Sequence, residues 1–338
     1  MTTNSHDRTT IRSRLKRIFA EYGVVVAFIA LVVVVAALQP SFLTFGNLTN
    51  VMAQWAPVAV MGIGMTFVVL TGGFDLSIAA IYALGAVLAA TLGQTFSPLV
   101  AFAAAILVTG VVGAINGLIV TILRVNPFIA TLGSSLVIAG FTLLITGNRP
   151  SQVEFEPFTV LGRGELAGFP ISAILMVLLY VAAGLVLAYT RYGHNVYAVG
   201  GNREAARLSG IRSDWVVGSA YAVAGVTAGI AGSITASRLS SAQPGLSGDL
   251  VFDVLTVVIV GGTALAGGKG AIWRTAVGVG ILATLQNGFN LLDIDAYYQN
   301  IIKGVIIIAA LAFVDWSRFT RPRRPTIADQ VPLTHKVK

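Results

Sequence analysis

Nine polar, uncharged side chains interrupt stretches that are otherwise apolar: Gln54, Thr66, Asn116, Thr131, Ser134, Ser135, Gln286, Asn287 and Asn290. Amides and hydroxyls in such places bond one another between packed helices, or line a path for a polar, neutral solute. No Asp, Glu or Arg set inside these stretches has the pattern of a proton relay. That argues against an ion-coupled carrier and against a charged solute. Other reactive types are sparse. There is no cysteine, which excludes disulfides and thiol chemistry, and the three histidines (His6, His194, His335) are scattered, so no metal site is expected.

Asp75 stands apart. It lies in Gly72-Gly73-Phe74-Asp75-Leu76-Ser77, between two apolar runs. One reading is a helix N-cap, its carboxylate accepting N–H bonds at the start of the next run. The other is a polar group on a path or at an inner gate. A second glycine-broken stretch follows at Gly261-Gly262-Thr263 and Gly267-Gly268-Lys269-Gly270. Glycine-interrupted segments at corresponding places in two halves point to a transport site. The similarity is weak, and any repeat would be parallel rather than inverted.

The most informative polar stretch is 191–213. Gly200-Gly201 reads as a turn, Asn202 as a cap, and Glu204-Ala205-Ala206 as the start of a short helix that Gly210 ends. Its small side chains (Ala205, Ala206, Ser209) suit a seat in another protein's cleft. The plainer alternative is a linker helix with no partner.

The elements that position these residues follow from hydropathy. The 338 residues are 56% hydrophobic and only 11% charged, with 37 glycines, and mean hydropathy is +0.83. Soluble domains carry roughly a quarter charged residues. Apolar runs at 22–38, 51–70, 76–93, 99–121, 128–146, 171–190, 214–236, 250–266, 271–288 and 298–314 predict an all-α polytopic membrane protein of about ten transmembrane helices. A charge at a helix centre costs about 2.5–3.5 kcal/mol, so their near absence supports these runs. The weakest is 250–266, whose apolar core Val254–Val260 is short enough to re-enter rather than cross.

The net charge of +8 comes from Lys and Arg beside apolar runs, which reads as topology signalling rather than nucleic-acid binding. With the N-terminus inside, 18 of the 22 basic residues fall in inner segments and three (Arg149, Arg163, Arg238) in outer loops, while Lys303 lies within the last run. Both termini are therefore expected to be cytoplasmic, and the charge rule favours a crossing at 250–266. The basic start resembles a signal peptide, but Leu38-Gln39-Pro40-Ser41 is no small-x-small cleavage site, so the first run is read as an uncleaved helix. The expected organisation is a basic cytoplasmic segment at 1–20, a permease domain at 21–316 and a basic cytoplasmic tail at 317–338.

Glu204-Ala205-Ala206-x-x-x-Gly210 resembles the coupling-loop signature of permease subunits of bacterial ATP-binding cassette importers. Tyr197-Ala198-Val199-Gly200-Gly201-Asn202, with Ala205-Ala206 and Ser209-Gly210-Ile211, narrows the resemblance to the ribose/galactose/xylose-type sugar permeases. The stretches Gly72–Ser77, Asn126–Gly133, Gly261–Gly270, Asn287–Leu292 and Tyr297–Gln299 agree, in order, over about residues 45–316.

This resemblance implies a multi-pass protein of the bacterial inner membrane, paired with a second copy or a sister permease. A cytoplasmic ATPase would dock on the loop carrying Gly200, Gly201, Asn202, Glu204, Ala205, Ala206, Ser209 and Gly210. An extracytoplasmic sugar-binding protein would deliver the solute, and Glu154, Glu156, Arg163 and Glu165 in the outer loop 147–170 either dock it or are simply solvated. No Gly-x-x-x-x-Gly-Lys-Ser/Thr loop occurs, so ATP is left to the partner and the chain itself is not an enzyme. The path for a monosaccharide would form at the dimer interface from helices carrying Asp75, Asn116, Phe128, Thr131, Asn287 and Asn290. Rival solutes are a nucleoside, an autoinducer or a branched-chain amino acid. A rival class is an ATP-independent channel or carrier.

Overall fold

The computed structural model describes residues 5–245 and 249–319, with side chains described for 22–245, 249–306 and 308. Most of the expected tail at 317–338, and residues 1–4 of the N-terminal segment, lie outside the described residues. The helices are α1 (Ser5–Leu38), α2 (Phe45–Leu70), α3 (Ile78–Gly93), α4 (Pro98–Thr121), α5 (Pro127–Thr146), α6 (Val160–Arg163), α7 (Ile171–Tyr189), α8 (Arg191–Gly201), α9 (Arg203–Leu208), α10 (Ser213–Leu239), α11 (Leu250–Val260), α12 (Ile272–Leu291) and α13 (Ala296–Phe319). The first apolar run is therefore the C-terminal half of a 34-residue helix that already begins at Ser5.

Helix starts follow local chemistry. Pro98 and Pro127 open α4 and α5, where a missing N–H costs nothing. The Asn126 side chain caps α5 by accepting the Phe128 N–H at 3.0 Å.

The core is built on α2 and α10. Of their most apolar windows, 89% and 67% are buried, against 22% for α4, 17% for α5 and 22% for α7. An apolar helix that leaves most of its surface outside the protein needs an apolar solvent. These five helices are each long and apolar enough to cross a membrane. Helices α4 and α10 meet backbone to backbone. A methyl on Gly113 would lie 2.9 Å from the Gly225 Cα, and one on Gly117 2.8 Å from the Gly218 Cα. In lipid, where apolar side chains gain nothing by leaving the tails, such close packing is what associates helices. Likewise α1 lies along α12, with Phe28 and Val35 over Gly280 and Gly288.

Two elements are too short to cross alone. At 1.5 Å per residue the 16 residues of α3 span about 24 Å and the 11 of α11 about 16 Å, against a ~30 Å hydrocarbon core. The expected helix over 250–266 thus ends at Val260. Its continuation turns back, with the Ala264 N–H donating to the Lys269 carbonyl at 2.8 Å. The cause is the glycine pair, since Gly262 sits at φ 89°, outside the helical region.

Short strands supplement the helices: β1 (Ser151–Gln152), β2 (Glu165–Leu166), β3 (Phe169–Pro170) and β4 (Ser241–Ala242), paired antiparallel as β1–β4 and β2–β3. The loop 147–170 is anchored by Phe158, which is fully buried with its ring 5.0 Å from that of Phe102. Ser237 on α10 donates to the Phe158 carbonyl at 2.6 Å and accepts the Gly162 N–H at 2.8 Å.

Candidate functional site

The segment 191–213 holds two helices, α8 and α9, where one short helix was expected. Gly200 and Gly201 are the last residues of α8 and not a separate turn. Asn202 divides the two helices with extended dihedrals, and its side chain accepts the Ala205 N–H at 2.9 Å. Gly210, at φ 85°, closes α9 with its N–H on the Arg207 carbonyl at 3.0 Å. Cap and stop therefore stand where the residue types placed them.

Ala206 turns inward, whereas Asn202, Glu204, Ala205, Ser209 and Gly210 are exposed, as is Leu208 at 78%. Glu204 pairs with Arg207 at 2.7 Å, and Arg203 with Asp214 at 2.8 Å. The Arg207 guanidinium holds the Glu204 carboxyl below its ordinary range, by hydrogen bonding and by charge. Beside α9 a cleft of about 590 Å³ is lined by Arg124, Asn126, Arg203, Glu204, Arg207 and Asp214.

Three of the expected path residues come together at this end of the bundle. The Asp75 carboxylate accepts the Ser77 N–H at 2.9 Å and the Ser77 hydroxyl. The Asn116 amide donates to Ser77 Oγ at 2.8 Å, and Asn116 Oδ1 accepts the Ser134 hydroxyl at 2.6 Å. Thr131 Oγ1 accepts the Leu76 N–H at 3.1 Å. One buried chain of bonds thus joins the α2–α3 turn to α4 and α5. Asp75 acts within this turn, two residues ahead of the formal N-cap Ser77, which makes no side-chain cap bond itself. Phe128 stands near the same end of α5, 52% exposed.

Asn287 and Asn290 belong to a different place. Asn287 and Asn47 exchange two amide hydrogen bonds, at 2.9 and 3.0 Å. Asn47 is in the first turn of α2, 24 residues before Thr71, which puts the two polar groups about 36 Å apart at 1.5 Å per residue. Asn290 accepts from the buried Gln299 amide at 3.1 Å, and Gln39 donates to the Leu291 carbonyl at 3.1 Å.

Near them, Lys303 of α13 meets Asp253 of α11 at 3.1 Å, each side chain 20% exposed. Sequence reasoning treated Lys303 as a lone charge in the last span and passed over Asp253. The signal was present: one basic and one acidic residue in the first two turns of helices that start at the same end.

On the Asn47 side a cleft of about 450 Å³ is lined by Thr49, Asn50, Arg163, Glu165 and Arg238, among others. The Arg163 Nε donates to the Arg238 carbonyl at 2.5 Å. Glu154 and Glu156 are exposed on the same loop but do not line this cleft. Among the described residues no group of three or more His, Cys, Asp or Glu is placed to hold a metal.

The chain is 41% identical to the ribose import permease protein of Escherichia coli (strain K12), over 85% of this chain and 91% of that one. It is 40% identical to the ribose import permease protein of Bacillus subtilis (strain 168), over 87% and 92%. It is 35% identical to the D-allose transport system permease protein of Escherichia coli (strain K12), over 86% and 90%. No solved structure matches it. Residues 47–311 match the model of the family described as "Branched-chain amino acid transport system / permease component". With that match over most of its length, and with five helices long and apolar enough to cross a membrane, this chain is an integral membrane protein and belongs to that family of transport permease components.

Proposed function

We propose that this chain is the membrane-spanning subunit of an ATP-binding cassette importer, admitting a monosaccharide handed over by an extracytoplasmic binding protein. The observation that carries this reading is α9: a capped, closed, outward-facing helix set between the apolar helices α7 and α10. The names of the ribose and allose relatives supply the solute class.

The charge asymmetry supports ten crossings with both termini in the cytoplasm of a bacterial inner-membrane protein. Helix α11 and the glycine-rich 261–271 segment together would make the eighth. Irregular backbone is tolerated at membrane depth only where protein surrounds it. Segments 1–20 and 317–338 then flank a permease domain at 21–316, and 191–213 faces a cytoplasmic ATPase, which binds the ATP.

In this arrangement Asp75, Asn116 and Thr131 serve the inner end of the path, with Phe128 beside them. Asn287 and Asn290 serve the outer end. A second copy, or a sister permease, closes the path. The binding protein docks on the outer loop through Glu154, Glu156, Arg163 and Glu165. Alternating access follows if ATP-driven movement of α8–α9 opens one end as it shuts the other.

The test is uptake of labelled ribose into proteoliposomes holding the permease, its ATPase and its binding protein. ATP-dependent accumulation is expected, and a purified membrane complex without any ATPase would defeat the reading. A second reading, a branched-chain amino acid as solute, is favoured by the family's description. Leucine that competes with ribose, or replaces it, would decide for it.

A further inference from the structure

Three backbone segments that are far apart in sequence meet at the end of α2. They are Leu70–Gly73, the last turn of α8 at Gly200–Gly201, and the α11–α12 connection at Gly267–Gly268. The Gly268 N–H donates to the Leu70 carbonyl at 2.9 Å. A methyl on Gly200 would overlap that same carbonyl oxygen and lie 2.5 Å from the Gly268 nitrogen. One on Gly267 would lie 2.8 Å from the Gly72 nitrogen and 2.9 Å from the Gly200 oxygen. One on Gly268 would lie 2.7 Å from the Gly201 nitrogen. A fourth tie crosses the junction, with the Tyr197 hydroxyl of α8 donating to the Gly270 carbonyl at 3.0 Å. No side chain cushions the contacts of Gly200, Gly267 and Gly268, so displacement of one backbone is delivered to the others without rotamer slack.

We infer that this glycine junction is the point where movement of α8–α9 enters the membrane helices, which makes Gly200, Gly267 and Gly268 positioning residues for transport. The inference rests on the reading of α8–α9 as the ATPase-facing element, and goes beyond it by naming a second exit for the movement. The first exit is the direct chain continuation from α9 into α10, supported by the Arg203–Asp214 pair. The second reaches α2, the most buried of the five long apolar helices, and the α11–α12 connection. From there it bears on Asp253 in α11 and Asn287 in α12, at the far end of the molecule. The two glycine-broken stretches of the sequence are thus two of the three parts of one contact.

A glycine outside the junction gives an internal control. Nothing lies within 4 Å of a methyl built on Gly184, inside α7. The permease is reconstituted with its ATPase and binding protein, and sugar uptake and ATP hydrolysis are measured in the same vesicles. Gly200→Ala is expected to lower uptake per ATP about tenfold, while Gly184→Ala stays at the unsubstituted ratio. Equal ratios in the two variants overturn the inference.

If Gly200→Ala fails to assemble, Tyr197→Phe decides, since it removes one hydrogen bond and adds no bulk. A fall of about threefold in uptake per ATP at unchanged thermal stability supports the junction, and an unchanged ratio overturns it. Absence of ATP-driven uptake before any substitution refutes the ATPase-facing reading, and this inference with it. It is told apart because it precedes the variants.

Discussion

The two ends of α2 are held in different ways. At the Gly72 end the neighbours touch through backbone, with glycine on both sides of the contact. At the Asn47 end they touch through side chains: the Asn47–Asn287 amide pair, Gln299 on Asn290 and Lys303 on Asp253. Backbone contacts have no rotamers to change and act as a stiff joint. Amide and ion pairs can trade their bonds for those of water or of a solute hydroxyl. On the proposed reading, one end transmits and the other exchanges. A permease that must move as a unit and yet release a solute needs both.

That contrast can be broken at either end. The largest effect is expected from Lys303→Ala, which leaves the largely buried Asp253 carboxylate without its cation. Removing one member of a buried pair costs about 3 kcal/mol, read as a lowered denaturation midpoint of the solubilised protein. The swapped pair Asp253→Lys with Lys303→Asp should recover most of it.

Next comes Gly268→Ala. A methyl there meets the Gly201 backbone at a φ of 70°, and overpacking with backbone strain costs about 2 kcal/mol. The same midpoint should fall, with no rescue available from any single partner.

A smaller loss, about 1 kcal/mol, is expected for Asn47→Ala or Asn287→Ala, because each leaves a half-buried amide unpaired. Replacing both with leucine should be nearly neutral, so a double-mutant cycle sharpens the contrast with the glycine end.

The smallest stability effect belongs to Glu204→Gln, because the Arg207 pair is exposed and screened by solvent. Arg207 lowers the Glu204 carboxyl's pKa, so the pair is fully present at neutral pH and is lost only as pH falls through that lowered value. Unchanged stability with reduced uptake per ATP would show that α9 serves a partner rather than the fold.

Much of this architecture was legible in the residues. Proline at the first position fixed where α4 and α5 begin, and Asn202 with Gly210 bracketed α9. These signals are local, and local backbone chemistry decides them. Depth and partnership were not legible. Five of the six path residues read as one set because they are polar in apolar surroundings. Only α2, a continuous rod between them, separates Asp75, Asn116 and Thr131 from Asn287 and Asn290. Gly200–Gly201 read as a turn because paired glycines usually serve conformation. Here Gly200 serves proximity, to a carbonyl 130 positions away in the chain. The Asp253–Lys303 pair was hidden for the same reason, its members being 50 residues apart.

Helix α10 carries Ser237, which grips the 147–170 loop at Phe158, and at its other end follows α9 after four residues. A single rigid element that bears on both faces makes the two faces thermodynamically linked. If, as proposed, a receptor docks on that loop and changes the affinity of α9 for its motor by some factor, the motor changes the receptor's affinity by that same factor. The same reciprocity of binding would hold for the permease with no solute bound.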